Sequence, residues 1–279
     1  MSLFAPAASL NGRNTLLGSA LAGLRDILDG GRQWRLWYLM GSADMRRRYA
    51  RSKLGQFWIM ISSAIMISGI GLVWSYLWQQ PAQTMLPFVA IGLVTWQLLS
   101  GVLNDATPVL PANSHYFLNQ YTAASTVLLS MLYRHSATLL LNLIFPIALS
   151  SALGVTFSIG VLLALPGLLL LLVACFWMSF VIAILCTRFR DVAQIVAGIL
   201  QVALFITPVL WKPEMMPQEA LRYLTWNPLG VLVSVVRDPL LGRAVPLDDW
   251  LFAIGIALGG LLLALPIIGR FRRRLVYWL

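Results

Sequence analysis

The chain has 279 residues, 59% of them hydrophobic and 11% charged, with a formal net charge of +10. A mean hydropathy of +0.80 excludes a water-soluble globule, since such chains run nearer about 45–50% apolar and about 25% charged. The positive charge does not indicate nucleic acid, because much of it sits beside long apolar runs, as Arg46, Arg47, Arg48, Arg51 and Lys53 before Phe57 and Arg270, Arg272, Arg273 and Arg274 after Gly269. That placement reads as a topology signal and as contact with membrane lipid headgroups.

Arg13, Arg25, Asp26 and Asp29 interrupt the first thirty residues, so no cleavable signal peptide is expected and the first span serves as its own insertion signal. In the next segment Trp34, Trp37, Tyr38 and Met45 alternate with Arg35, Arg46, Arg47 and Arg48. Two readings fit: an amphipathic helix lying in the membrane interface, and a plain basic flank that sets topology.

A bilayer core takes about 20 apolar residues as a helix. Six stretches are expected to span: 57–78, 86–103, 136–155, 159–186, 195–211 and 250–269. The loop Gln79 to Met85 has no basic residue, whereas Arg188 and Arg190 lie between the fourth and fifth stretches. Placing the arginine clusters inside gives an even number of spans and both termini in the cytoplasm. The outer loop Lys212 to Asp249 carries mixed charge and two apolar pieces, Ala220 to Trp226 and Leu229 to Val236, punctuated by prolines. These read either as short helices of a re-entrant hairpin sheltered by protein or as a surface loop. The fold class is thus all-α integral membrane protein. Cys175 and Cys186 are about 16 Å apart along one helix, beyond disulfide reach.

The motifs that are missing narrow the chemistry. No phosphate-binding G-x-x-x-x-G-K-[ST] loop is present, no His/Cys/Glu cluster has metal spacing, and no G-x-S-x-G elbow occurs. The spans hold almost no acids, which disfavours proton-coupled transport. Asp105 and Asp191 fall at span ends, where interfacial hydration is the expected environment.

Several polar or aromatic residues share helix faces. Gln194, Gln201, Phe205 and Pro208 recur at helical spacing in the fifth stretch, which fits a translocation path or helix–helix hydrogen bonding. Ser130, Arg134, Thr138 and Asn142 recur every fourth residue in the third; Arg134 is placed either to meet an anionic headgroup or to snorkel. Trp74, Tyr76 and Trp78 gather at the outer end of the first stretch, as a membrane-interface belt or as sugar-stacking rings at a pore exit.

Six segments in order then resemble one family. They are Asp44 to Trp58 (DMRRRYARSKLGQFW), Leu86 to Trp96 (LPFVAIGLVTW), Arg188 to Val196 (RFRDVAQIV) leading to Thr207 to Trp211 (TPVLW), Trp226 to Leu229 (WNPL), and Arg270 to Leu279 (RFRRRLVYWL). Over about residues 34–279 the chain resembles the membrane subunits of ABC-2 type polysaccharide exporters, the O-antigen/lipopolysaccharide branch in particular.

The resemblance implies residues 1–30 as an N-terminal cytoplasmic tail and 31–279 as one ABC-2 type transmembrane domain. It implies a homodimer in the bacterial inner membrane, paired with two copies of a separate ABC ATPase that bind ATP and Mg, so that this chain has no catalytic residues and no cofactor of its own. The cargo implied is a lipid-linked polysaccharide; teichoic acid, capsule, lipo-oligosaccharide or a drug is the alternative within the fold, and a membrane-embedded glycosyltransferase the alternative outside it. On this reading Trp74, Tyr76, Trp78, Gln194, Gln201, Phe205 and Trp211 line the substrate pathway. Arg46, Arg47, Arg48, Arg51 and Arg134 receive the lipid diphosphate. The link from about Asn104 to Thr122 couples to the ATPase through Asn113, Ser114, His115 and Tyr116, although two prolines and no basic residue argue against a regular helix there.

Overall fold

The computed structural model describes residues 16–49, 53–55, 57–120, 122–155, 159–217, 219 and 226–278. No strand occurs among them. Two helices, α1 (Leu16–Arg32) and α2 (Trp34–Tyr49), precede α3 (Phe57–Leu77) and α4 (Ala82–Ala112). Then follow α5 (Ser114–Gln120), α6 (Ala124–Ala152), a 3-10 turn at Ile159–Leu163 running into α7 (Ala164–Arg188), α8 (Val192–Ile206) and α9 (Pro228–Leu240). The last stretch joins α10 (Leu247–Ile254) through a π turn (Gly255–Gly259) to α11 (Gly260–Trp278).

α4 is the centre of the bundle, packing on α3, α6, α7, α8 and α9. It is buried from Met85 to Trp96 without a break. α3 meets α4 through Ser63, Ile67, Gly71 and Ser75, its buried residues, which recur every fourth position. Small residues at that spacing let two backbones approach, the usual basis of helix association in lipid. The π turn is matched by a partner: Trp177 Nε1 donates to the carbonyl of Ile256 at 3.1 Å.

Among the described residues, five helical stretches are long and apolar enough to cross a membrane: Phe57–Leu77, Ala82–Ala112, Ala124–Ala152, Ile159–Arg188 and Leu247–Phe271. The expected stretch 195–211 differs. Its helix, α8, has 15 residues, a rise of about 22 Å against a hydrocarbon core of about 30 Å. It stops at Ile206 because Thr207 precedes Pro208 and takes an extended backbone, φ −79° and ψ 137°. Residues 207–212 continue as irregular but largely buried chain.

Two boundaries also move. The third span begins at Ala124, well before the expected 136. α4 continues past the expected end at 103, through Pro108 and Pro111. Pro108 has no N–H for the carbonyl of Asn104, and Thr107 Oγ1 donates to that carbonyl instead at 2.8 Å. The expected link 104–122 is therefore largely helical: the end of α4, a turn at Asn113, and α5. Of the outer loop, residues 220–225 lie outside the described residues, while Leu229 to Val236 fall in α9, whose residues Gly230 to Arg237 are all buried.

Candidate functional site

On the arginine-rich side of the bundle, α2 lies across α6. Trp37 and Tyr38 of α2 hold the ring of Tyr133 at centroid distances of 5.9 and 5.1 Å. About two to three turns further along α2, charged groups from three helices converge. Asp105 on α4 accepts from Arg134 Nη2 at 2.5 Å and lies 3.0 Å from His135 Nε2, both on α6. Arg48 Nη2, at the end of α2, reaches the same Asp105 Oδ2 at 3.4 Å. Arg134 Nη1 also lies 3.4 Å from Asp44 Oδ2, and Asp44 pairs with Arg47 at 2.9 Å.

The result is an alternating chain, Arg47–Asp44–Arg134–Asp105–Arg48, with three guanidiniums against two carboxylates. Arg134 is its anchor, with a side chain only 14% exposed. The His135 ring packs on Gly101, where an added Cβ would come within 2.9 Å of its Cε1. Exposed ion pairs contribute about 0–1 kcal/mol each. The weight of this site is its connectivity: one carboxylate ties α2, α4 and α6 together.

Interfacial hydration was the expected environment of Asp105, and the structure gives it three partners instead. The signal available in the sequence was weak: an acid late in one span and Arg134–His135 early in the next stand level if a short link folds the two into a hairpin.

The arginines singled out for a lipid diphosphate divide. Arg46 is exposed at the end of α2, Arg47 and Arg48 are exposed but paired, and Arg134 is drawn inward. Arg51 lies outside the described residues. At the far end of α3, Trp74 and Trp78 stack at 6.3 Å with planes 28° apart. Tyr76 is 90% exposed on another side of the helix. On α8, Gln194, Gln201 and Phe205 are exposed and Leu200 is the buried residue. Trp211 is buried, its Nε1 donating to the carbonyl of Phe205 at 2.9 Å. Asn113, Ser114, His115 and Tyr116 are brought together at the α4–α5 corner, where Asn113 Nδ2 donates to Val109 O at 2.8 Å and the His115 and Tyr116 rings meet at 4.0 Å.

A second cationic group lies at the opposite end of α4 from Asp105. Arg237 of α9 is buried, with Nε 2.7 Å from Asp238, its guanidinium 3.9 Å from the Phe88 ring centroid, and Nη1 donating to Pro208 O at 2.5 Å. It thereby holds the irregular chain after α8 against α4. Lys212 Nζ donates to Thr84 Oγ1 at 3.0 Å. Burial, then the Arg243 charge, lowers the Lys212 pKa from the ordinary 10.5.

Comparison with known proteins gives two results. The profile of the ABC-2 type transporter family matches residues 35–241, from α2 to the end of α9. Two proteins of Klebsiella pneumoniae, each described as "O-antigen export system permease protein RfbA", are 20% identical to the chain over 208 residues, covering 73% of it and 79% of the relative.

Proposed function

The chain belongs to the ABC-2 type transporter family, and from that membership we propose that it is the membrane-spanning subunit of an ATP-driven exporter of lipid-linked polysaccharide of the O-antigen type. The K. pneumoniae relatives named for O-antigen export support this cargo. On this reading the chain works as a homodimer in a bacterial inner membrane, both termini cytoplasmic, with two separate ABC ATPase subunits that bind ATP and Mg.

The observation that carries the mechanism is the Asp105 hub. Closure of the ATPase pair on ATP presses on the Asn113–Tyr116 corner and on α2. Because Asp105 and Arg134 join α2 to α4 and α6, the three helices tilt together rather than sliding past one another. α3 and α8, which bury few of their residues, form the seam between the two copies, and the seam opens. The lipid diphosphate meets Arg46, Arg47, Arg48 and Arg51, where guanidiniums form charge-assisted bonds to phosphate oxygens, with Arg134 behind them. Gln194, Gln201 and Phe205 present amide and ring contacts along the path. Trp74 and Trp78 offer stacked faces to sugar rings at the exit, and Tyr76, on another side of α3, and Trp211, after α8, belong to the same proposed pathway.

The test is composition of the native assembly. Purified from its own membranes under mild detergent, the chain is expected to carry an ABC ATPase in equal amount and to behave as a two-plus-two complex. Recovery of the chain without an ATPase, or with glycosyl transfer activity of its own, overturns this reading.

A further inference from the structure

α1 has two faces of opposite character, each with residues spaced four, three and four apart. Ser19, Gly23, Asp26 and Gly30 form the seated face. Gly23 and Ser19 rest on the backbone of α11 at Leu265 and Gly269, so closely that a Cβ on Gly269 would fall 1.8 Å from the carbonyl oxygen of Ser19. At the other end of α1, Asp26 Oδ2 accepts from Ser125 N at 3.0 Å at the start of α6, and Gly30 abuts the Ser125 side chain. α1 therefore bridges the ends of two spans and cannot rotate about its axis without losing that seat.

The opposite face carries Leu17, Leu21, Leu24 and Leu28, which are 78%, 57%, 41% and 50% exposed. Arg25 and Arg32, both exposed, border it. Four aligned leucines on a helix held in one rotation need a cover. Position and charge say which. The seat at Leu265–Gly269 lies inside the apolar stretch Leu247–Phe271, so α1 sits at a depth where that span is still hydrophobic. The same span exposes Leu258, Leu262 and Leu263, side chains suited to lipid contact along a membrane span. Bordering arginines suit anionic headgroups at that level.

We propose that the leucine face of α1 is a lipid-docking surface, inserted in the leaflet on the arginine-rich side and held there by anionic phospholipid at Arg25 and Arg32. The family match begins at residue 35, so α1 precedes the matched region. The inference uses the membrane placement of α11 and does not depend on the cargo.

The test uses the full chain with one cysteine introduced at Leu21 or at Leu24, which point outward and leave the seat intact, while Cys175 and Cys186 are buried. Each variant carries a bimane label, and the protein is reconstituted in vesicles of phosphatidylethanolamine with phosphatidylglycerol. Quenching by brominated lipid is expected to exceed quenching by aqueous iodide severalfold at both positions. The excess is expected to shrink in phosphatidylcholine vesicles and in the double variant R25Q/R32Q. Iodide quenching that dominates in every vesicle overturns the proposal. So does shielding that appears only after a partner ATPase is added, which would make the face a protein contact. Equal depth in both kinds of vesicle overturns the role given to the arginines.

Discussion

Arg134 Nη2 and Asp105 Oδ2 lie 2.5 Å apart across 29 residues of sequence, and the same Asp105 oxygen is reached by Arg48 from a third helix. Replacing Asp105 with Asn leaves Arg134, mostly enclosed, with the Asp44 carboxylate at 3.4 Å as its charged partner. The loss of a charge-assisted bond, reduced because Asp105 is one-third exposed, amounts to about 1–2 kcal/mol. Thermal unfolding in detergent is expected to show it, with Asp105→Glu recovering part. If the hub also transmits motion, D105N lowers cargo moved per ATP hydrolysed, and unchanged coupling removes that role.

Gly101→Ala drives a methyl into the His135 ring, whose Cε1 is 2.9 Å from the added Cβ. Overpacking of this kind costs about 1–3 kcal/mol. The double variant G101A/H135A is expected to be less destabilised than the two single changes added together. Strict additivity in the unfolding midpoints would separate the two residues.

Arg237→Leu removes the guanidinium from Pro208 O, Asp238 and the Phe88 ring together. An unfolding loss of about 3–5 kcal/mol is expected for breaking a buried pair from one side. Arg237→Lys restores charge but not the planar fork, so it is expected to recover less than half. A lysine variant equal to wild type contradicts the geometry.

These features differ in how far the sequence disclosed them. Five of the spans follow from apolar runs alone. The early end of α8 was also written there, in Thr207 before Pro208, but the continuing apolar residues Val209 to Trp211 masked it. Past Asn104 the opposite happened: Pro108 argued for a break, and a hydroxyl one residue earlier repaired the helix. Arg25, Asp26 and Asp29 interrupt the leucines of α1, and only the fold shows that Asp26 turns inward to meet Ser125. The Asp105 hub and the Arg237 clasp join residues far apart in sequence, and no local pattern records such pairings.

Lys212 has its pKa lowered by burial and by Arg243, so the folded state holds its proton less tightly than the unfolded chain. The sign follows: this lysine opposes folding below its folded pKa, and the penalty fades as pH rises toward 10.5. Lys212→Met is expected to raise the unfolding midpoint at neutral pH, with the gain shrinking in alkaline buffer. A gain that is constant with pH, or a loss at neutral pH, contradicts this.

The most direct measurement is transport by the reconstituted assembly: the chain and its partner ATPase in sealed vesicles, with lipid-linked glycan supplied on the ATP side. The glycan is expected to stimulate ATP hydrolysis and to appear on the far side, with both effects lost when the ATPase is omitted. Glycan that neither quickens hydrolysis nor crosses, in an assembly shown to be folded and complete, contradicts the assignment of this chain as the membrane half of a polysaccharide exporter.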